Sequence, residues 1–193
     1  MEVIATYSHA DGKNFIQTNH PRELREIYEV IHEVDATKLR TKISREKTMV
    51  GKALYAPKRM NKEFKRLLSM RGWETVRFKV QTEVPELGST SKGYREIDGV
   101  KNKVGLEVQF GKYAFMIYNV SAKMTIFQKQ GIIDCGIEVV PMKSMSRPDM
   151  STGVSSFEQM KTDLEYRGVS NIDIPVFIVG VDVKKTSSKP KPA

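Results

Sequence analysis

Asp98, Glu107 and Gln109 are the residues whose types and spacing most directly suggest chemistry. Side chains alternate along a strand, so Glu107 and Gln109 share one face of a strand predicted over 104–110, while apolar residues occupy the other. Two acids held side by side repel each other unless a cation or a proton lies between them. An oxygen-only set favours Mg²⁺ over zinc, and such an ion can polarise a phosphate oxygen. The same side chains also suit a solvated sheet surface, so the pattern alone leaves both interpretations open.

A β-hairpin would bring the two carboxylates together. A tight turn at Lys101-Asn102 pairs the strand that carries Glu107 with the strand before it. In this predicted register Asp98 lies opposite Gly105, which leaves room for an ion between the acids. The same register places Glu96 opposite Glu107 as a further acid.

Helices are predicted on both sides of this hairpin. One starts near Pro21, and Asn61 is expected to cap a second that carries Phe64. A third covers 113–127 and ends at Gly131.

A capping box at Ser155 and Glu158 opens a fourth helix, which Gly168 ends. Strands are predicted at 76–80, 94–98, 104–110, 132–140 and 174–183. This alternation predicts an α/β fold with a central mixed β-sheet flanked by helices.

Composition limits the class of protein. The chain has 193 residues, of which 39% are hydrophobic and 28% charged, as in one globular domain rather than a disordered chain. Its 32 Lys and Arg exceed its 23 Asp and Glu by nine, which indicates a polyanionic partner, nucleic acid first and an anionic membrane surface second. The single cysteine, Cys135, excludes an internal disulfide and a Cys-cluster zinc site, and its apolar surroundings favour a buried, inert thiol.

Two segments carry few apolar residues. We expect one domain over 1–183 and a disordered basic tail over 184–193. The basic stretch 38–52 suits either a solvated surface or phosphate contacts.

No apolar run approaches the roughly 18 residues of a membrane span, and the first residues lack a signal-peptide pattern, so a cytoplasmic protein is expected.

A resemblance narrows the function. Asp98, followed after eight residues by Glu107-Val108-Gln109, resembles the active-site motif of the PD-(D/E)XK nuclease superfamily. More specifically it resembles the BglII/BstYI group of type II restriction endonucleases, which has glutamine in place of the usual final lysine. Segments similar to BstYI extend over nearly the whole chain: Tyr7-Ser8-His9, 31–36, Arg40-Thr41-Lys42, Glu46-Lys47-Thr48, Leu54-Tyr55, Gly72-Trp73, Gly111-Lys112-Tyr113, 138–143 and 151–158. The region between Trp73 and Asp98 is shorter than in BstYI, and no site residue is carried over from it.

The resemblance implies roles for four residues. Asp98 and Glu107 ligate Mg²⁺, with the backbone carbonyl of Val108 as a third ligand. Gln109 stands where many relatives have lysine. Because an amide cannot act as a general base or supply positive charge, its implied role is to orient the attacking water. The reaction is in-line hydrolysis of a phosphodiester in double-stranded DNA, leaving a 5′-phosphate, a 3′-hydroxyl and four-base 5′ overhangs.

Four other residues become candidates for reading the DNA. In BglII-like enzymes the segment matching 151–156 enters the major groove, which makes Ser151, Thr152 and Ser155 candidate base readers. Without the resemblance, Ser155 is more simply a helix cap. Lys112 is the second candidate, for the outer bases or for a phosphate.

The group cuts six-base palindromes with a GATC core, and palindromy implies a homodimer. Similarity to BstYI favours the site Pu-GATC-Py, and a restriction system includes a cognate DNA methyltransferase. Ile117, Val120 and Met124 are candidate dimer-seam residues, with an intramolecular core helix as the alternative. Two other functions stay open: a superfamily nuclease for repair or nicking, and a catalytically silent DNA-binding protein.

Overall fold

A six-stranded mixed sheet forms the centre of the computed structural model, which describes residues 1–166 and 172–184. The strands, in chain order, are β1 (Glu2–His9), β2 (Lys42–Ile43), β3 (Ala53–Leu54), β4 (Glu74–Val84), β5 (Ser89–Lys101), β6 (Val104–Val108), β7 (Cys135–Pro141) and β8 (Val176–Asp182). The sheet has the order β1-β8-β7-β6-β5-β4; β6, β7 and β8 are parallel and the other neighbours antiparallel. Strands β2 and β3 form a separate small ribbon. The predicted α/β class with a mixed sheet is confirmed.

Helices cover both faces of this sheet. They are α1 (Gly12–Asn19), α2 (Pro21–Glu33), α3 (Pro57–Ser69), α4 (Tyr113–Tyr118), α5 (Met124–Lys129), α6 (Lys143–Asp149) and α7 (Phe157–Tyr166). A π-helical turn, Asn119–Lys123, joins α4 to α5, and short 3₁₀ turns occur at Ala36–Leu39, Lys47–Met49 and Pro85–Leu87. None of the helices in the described part of the chain is both long and apolar enough to cross a membrane.

One of two predicted helix starts on the first side of the sheet is correct and the other is wrong. Helix α2 begins at Pro21 as expected, but Asn61 does not cap α3, which already begins at Pro57. The fixed φ of proline suits a first helical turn, so Pro57 starts α3 one turn earlier. Phe64 is buried in the core, as the periodicity indicated.

The predicted capping box is also wrong. Helix α7 begins at Phe157, so the cap position falls on Ser156, whose hydroxyl accepts the Gln159 N–H at 3.5 Å. The Glu158 carboxylate instead accepts the backbone N–H of Lys143 at 2.8 Å, because α6 lies beside the start of α7. Gly168, the predicted end of this helix, lies outside the described residues, as does 185–193 of the predicted tail.

The sheet separates two apolar cores. Alternation along β7 sends Ile137 and Val139 into a core shared with α2 and α3, and Val140 into a core shared with the helical segment 113–129 and α7. Cys135 is buried in the first core, and burial raises the pKa of its thiol to about 12, which agrees with the expected inert thiol. The second core lies under the helix that faces the predicted carboxylates.

Candidate active site

The β5–β6 hairpin turns at Asn102-Lys103, one residue later than predicted. Both residues have positive φ, 45° and 68°, as a two-residue hairpin turn requires. Val100 therefore pairs with Gly105, so the predicted register is wrong by two residues. Lys101 is the last residue of β5, and its ammonium bonds the Glu26 carboxylate of α2 at 2.7 Å.

The corrected register changes two details of the expected site. Gly105 does not leave room for an ion, since a Cβ there would meet the Ile133 and Ile97 side chains at 2.7 and 2.9 Å. Glu96 does not oppose Glu107; it pairs with Arg77 of β4 and forms an ion pair with it. A shift of two residues preserves the side-chain face, because the strand repeat is two.

Asp98 and Glu107 do come together at the end of the hairpin. Asp98 Oδ2 accepts the backbone N–H of Val108 at 3.0 Å. The Glu107 side chain is buried, with 3% of the residue exposed. Burial, and then the charge of Asp98, raises the pKa of Glu107 to about 8 despite a contact with Lys123. Burial also raises the pKa of Asp98, and the Val108 N–H opposes that rise.

Three further polar residues lie beside this pair and were not predicted. Lys123 Nζ donates to Glu107 Oε1 at 2.8 Å, and Asn119 Nδ2 donates to Glu138 Oε1 at 3.1 Å. Glu138 is directly paired with Glu107 in the parallel ladder and has no exposed surface. Burial raises the pKa of the Glu138 carboxyl well above its usual range, and the Asn119 amide opposes that rise. The spacing of four between Asn119 and Lys123 on one side of an apolar helix was the signal that sequence reasoning passed over.

An open cleft of about 420 Å³ lies over the carboxylates. Gln109 lines it, but its side-chain amide turns back to donate to the Lys112 carbonyl at 3.3 Å. Asn61 lines it as well, and its Oδ1 is buried without a hydrogen-bond partner among the described residues. The predicted helix cap therefore lines the cleft, a placement that only the position of α3 beside β5 reveals.

The predicted DNA-reading residues form a second cluster that adjoins the cleft. Lys112 is exposed and forms an isolated antiparallel bridge with Val154. Ser151 and Thr152 lie in the loop before α7, where Thr152 is exposed and Ser151 half-buried. Ser155 is 1% exposed and its hydroxyl donates to Gln159 Oε1 at 3.4 Å, so this side chain points into the protein.

The basic stretch 38–52 packs against this loop. Arg40 forms an ion pair with Asp149 at 2.7 Å. The Lys42 ammonium donates to the Ser151 hydroxyl, and Glu46 accepts both the hydroxyl and, at 2.9 Å, the backbone N–H of Thr152. The end of α6, the loop after it and the basic stretch thus form one surface. We call this surface the recognition face; it consists of 38–52, Lys112 and 148–155.

The candidate dimer-seam residues divide between core and surface. Val120 and Met124 have no exposed area and belong to the second core, so for them the intramolecular alternative is correct. Ile117 is only partly buried. Phe115, on the outer side of α4, is 59% exposed.

Comparisons with known proteins agree on one family. A family model described as restriction endonuclease BglII/BglIII matches residues 4–181. A crystal structure of the restriction endonuclease BglII complexed with a DNA 16-mer superposes with a TM-score of 0.71 at 20% identity, covering 94% of this chain and 78% of that one. A crystal structure of free BglII gives a TM-score of 0.59 at 18% identity, covering 94% and 80%. No curated protein sequence matches the chain.

Proposed function

This chain belongs to the BglII family of restriction endonucleases and is therefore a deoxyribonuclease, and from that premise we propose that it is Mg²⁺-dependent and cuts double-stranded DNA as a homodimer. The observation that carries the proposal is the pairing of Asp98 and Glu107 beneath an open cleft. Two partly desolvated carboxylates at neighbouring positions are costly for the fold unless a cation joins them.

The donor set fits Mg²⁺. Asp98 and Glu107 offer hard oxygen ligands, and the Val108 carbonyl is the third ligand in this proposal. Mg²⁺ held here would supply a Lewis acid for the scissile phosphate.

Gln109 and Asn61 complete the proposed site. Gln109 orients the attacking water, since its amide oxygen can accept a hydrogen bond while its nitrogen donates to Lys112. The unpartnered Asn61 Oδ1 offers another acceptor at the same cleft. Both amides can position a water molecule by hydrogen bonding, but neither can accept a proton from it. Activation of the water is therefore left to the carboxylates and the bound ion.

The recognition face supplies the proposed contacts to bases. The exposed Thr152, the neighbouring Ser151 and Lys112 can reach a groove, whereas the burial of Ser155 suits support of the loop rather than a direct base contact. Hydroxyls and a lysine donate to the acceptors that purines present in the major groove. The basic stretch beside them, with exposed Arg45 and Lys47, suits the phosphates that flank a site.

The proposed site is a six-base palindrome with a GATC core, Pu-GATC-Py, cleaved to give 5′-phosphates and four-base 5′ overhangs. Palindromy matches a two-fold dimer, and the enzyme would act in the cytoplasm with a cognate DNA methyltransferase. The support for these details is the similarity of the chain to BstYI, set out above.

Digestion of a sequenced plasmid with the purified protein tests the proposal. We expect discrete fragments with Mg²⁺, none with EDTA, and end sequencing that places every cut at Pu-GATC-Py. A smear would indicate a nuclease without site specificity, and a nicked circle a nicking enzyme. Discrete fragments with other ends would contradict the proposed site while leaving the activity in place.

A further inference from the structure

The side of the helical segment 113–129 that faces the sheet is apolar with two exceptions. Its apolar members, all without exposed area, are Met116, Val120, Met124 and Phe127. Asn119 and Lys123 interrupt them, and both lie in the π-helical turn. Lysine is rarely found on a core-facing side unless it is paired, and π-turns occur frequently at functional sites.

The π-turn brings its two polar side chains onto two adjacent strands. Lys123 contacts Glu107 of β6, and Asn119 contacts Glu138 of β7, whose register partner is Glu107. The close approach depends on a glycine: a Cβ at Gly136 would lie 2.3 Å from the sulfur of Met124. The helical segment therefore lies close to strands β6 and β7. From there a lysine side chain can reach the carboxyls from above the face of the sheet rather than from the edge of the sheet.

The site holds more carboxyls than cations that bond them among the described residues. Asp98, Glu107 and Glu138 place three carboxyls within one small region, and Gln109 is neutral where the nuclease motif has lysine. Lys123 is the ammonium that bonds one of them, Glu107, and its side chain is 16% exposed. The same side chain lines the cleft together with Asp98 and Gln109.

We propose that Lys123 is the catalytic cation of this site, replacing from the helix the lysine that the strand lacks at Gln109. The inference rests on the proposed function. In the DNA complex its ammonium leaves Glu107 and donates to a non-bridging oxygen of the scissile phosphate, where negative charge grows as water attacks. The lysine side chain has a flexible four-carbon stem, so its ammonium can move within the cleft while the helix backbone stays in place. The cation forms and breaks no covalent bond and keeps its protons.

A purely structural role predicts a different outcome. If Lys123 only holds Glu107 in place, its loss should loosen that carboxylate, so metal affinity and cleavage rate should fall together. If it acts on the phosphate, its loss removes a cation that competes for Glu107, so metal affinity should hold or increase while the rate falls. The two roles therefore differ in the sign of the change in metal affinity.

The experiment compares Lys123→Met and Lys123→Arg with Lys129→Met, which removes an exposed charge from the end of the same segment. Single-turnover cleavage is measured with saturating Mg²⁺, and Mn²⁺ binding to the DNA-free protein is measured by electron paramagnetic resonance. For Lys123→Met we expect a rate loss of about 10²–10³-fold, as for other preorganised charge-stabilising donors, with unchanged or tighter Mn²⁺ binding. Lys123→Arg should recover part of the rate, and Lys129→Met should match the wild type.

Two results would overturn the inference: Lys123→Met cutting as fast as Lys129→Met, or a parallel loss of rate and Mn²⁺ affinity that Lys123→Arg does not relieve. If Lys123→Met does not fold by circular dichroism, Lys123→Gln takes its place under the same criteria. Failure of the proposed function looks different, because the wild type itself would then leave plasmid uncut in both Mg²⁺ and Mn²⁺.

Discussion

The active-site cleft and the recognition face adjoin each other but are built in opposite ways. In the cleft, Asp98 and Glu107 extend from regular strands, where Asp98 is half-buried and Glu107 buried. On the recognition face, Ser151 and Thr152 belong to a loop, and their polar groups are already bonded to Lys42 and Glu46. The Gln109 side-chain amide lines the cleft and donates to the Lys112 carbonyl at 3.3 Å, which joins the two regions.

This difference separates the residues proposed to cleave DNA from those proposed to recognise its sequence. Charged groups that are fixed on strands and partly removed from water have altered pKa values. They also have large effects on the free energy of a transition state. To bind DNA, hydroxyls on a loop must give up their hydrogen bonds to the protein. Each hydroxyl therefore contributes to the binding free energy only the difference between two sets of hydrogen bonds. Substitutions in the cleft should therefore change how fast any site is cut, and substitutions on the recognition face should change which sites are cut.

The largest effect is expected from removing a cleft carboxylate. Asp98→Ala or Glu107→Ala should lower single-turnover cleavage by about 10³-fold or more, since each loses a proposed metal ligand. Binding to the cognate site in Ca²⁺, measured by gel shift, should remain close to wild type. A variant that cuts at a near wild-type rate would show that its carboxylate is not part of the active site.

The next effect sharpens the role of Gln109 within the cleft. Gln109→Ala should cost about 10²-fold in single-turnover rate, at the lower end for positioned groups, because no side chain then orients the water. Gln109→Glu should keep measurable activity, since a carboxylate accepts the same hydrogen bond. Gln109→Lys should bring no gain, as Lys123 already provides a cation. An Ala variant as fast as wild type would remove Gln109 from catalysis.

Effects on the recognition face should be smaller and selective. Replacing Lys112 by Ala should change preference at the outer base pair, and Ser151→Ala or Thr152→Ala should weaken recognition of the core. Each should cost about 1–3 kcal/mol of discrimination. Competition assays on sites that differ by one base pair measure this, with Lys129→Ala as the matched charge control. Equal weakening on every site would make Lys112 a phosphate contact.

The smallest effect is a pH dependence of stability in the metal-free protein. Glu107 has an ordinary pKa of 4.5, raised to about 8 in the fold by burial and by Asp98. Between these values the unfolded chain binds fewer protons than the folded one, so stability falls as pH rises through this window and levels off above it. Carboxyls whose pKa is lowered, such as Glu26 and Glu63, lose their contribution at more acidic pH.

Thermal melts in EDTA at about pH 5 and about pH 8.5 test this expectation, and each kcal/mol should shift Tm by about 2–4 °C. Glu107→Gln cannot ionise and should reduce the fall, leaving the part due to Glu138, whose pKa is raised in the same direction. A Tm that increases across the window, or an equal fall in Glu107→Gln, would contradict the raised pKa of Glu107.

The sequence by itself determined the carboxylate pair and the strand that presents it. Residue types and the two-residue repeat of a strand put Glu107 and Gln109 on one face, and the error of two residues in register left that face unchanged. Helix α2 and the buried strands β7 and β8 were also predictable, because their apolar periodicity reflects local geometry.

Only the tertiary structure decided the partners of that pair. At the end of the hairpin strand β5, Lys101 contacts Glu26, and the two residues are 75 positions apart in the chain. Lys123 reaches Glu107 because the 113–129 segment packs over β6, and Asn61 lines the cleft because α3 lies beside it. The burial of Ser155, a candidate base reader, has the same reason: burial depends on which elements pack together, and no local pattern of residues encodes that packing.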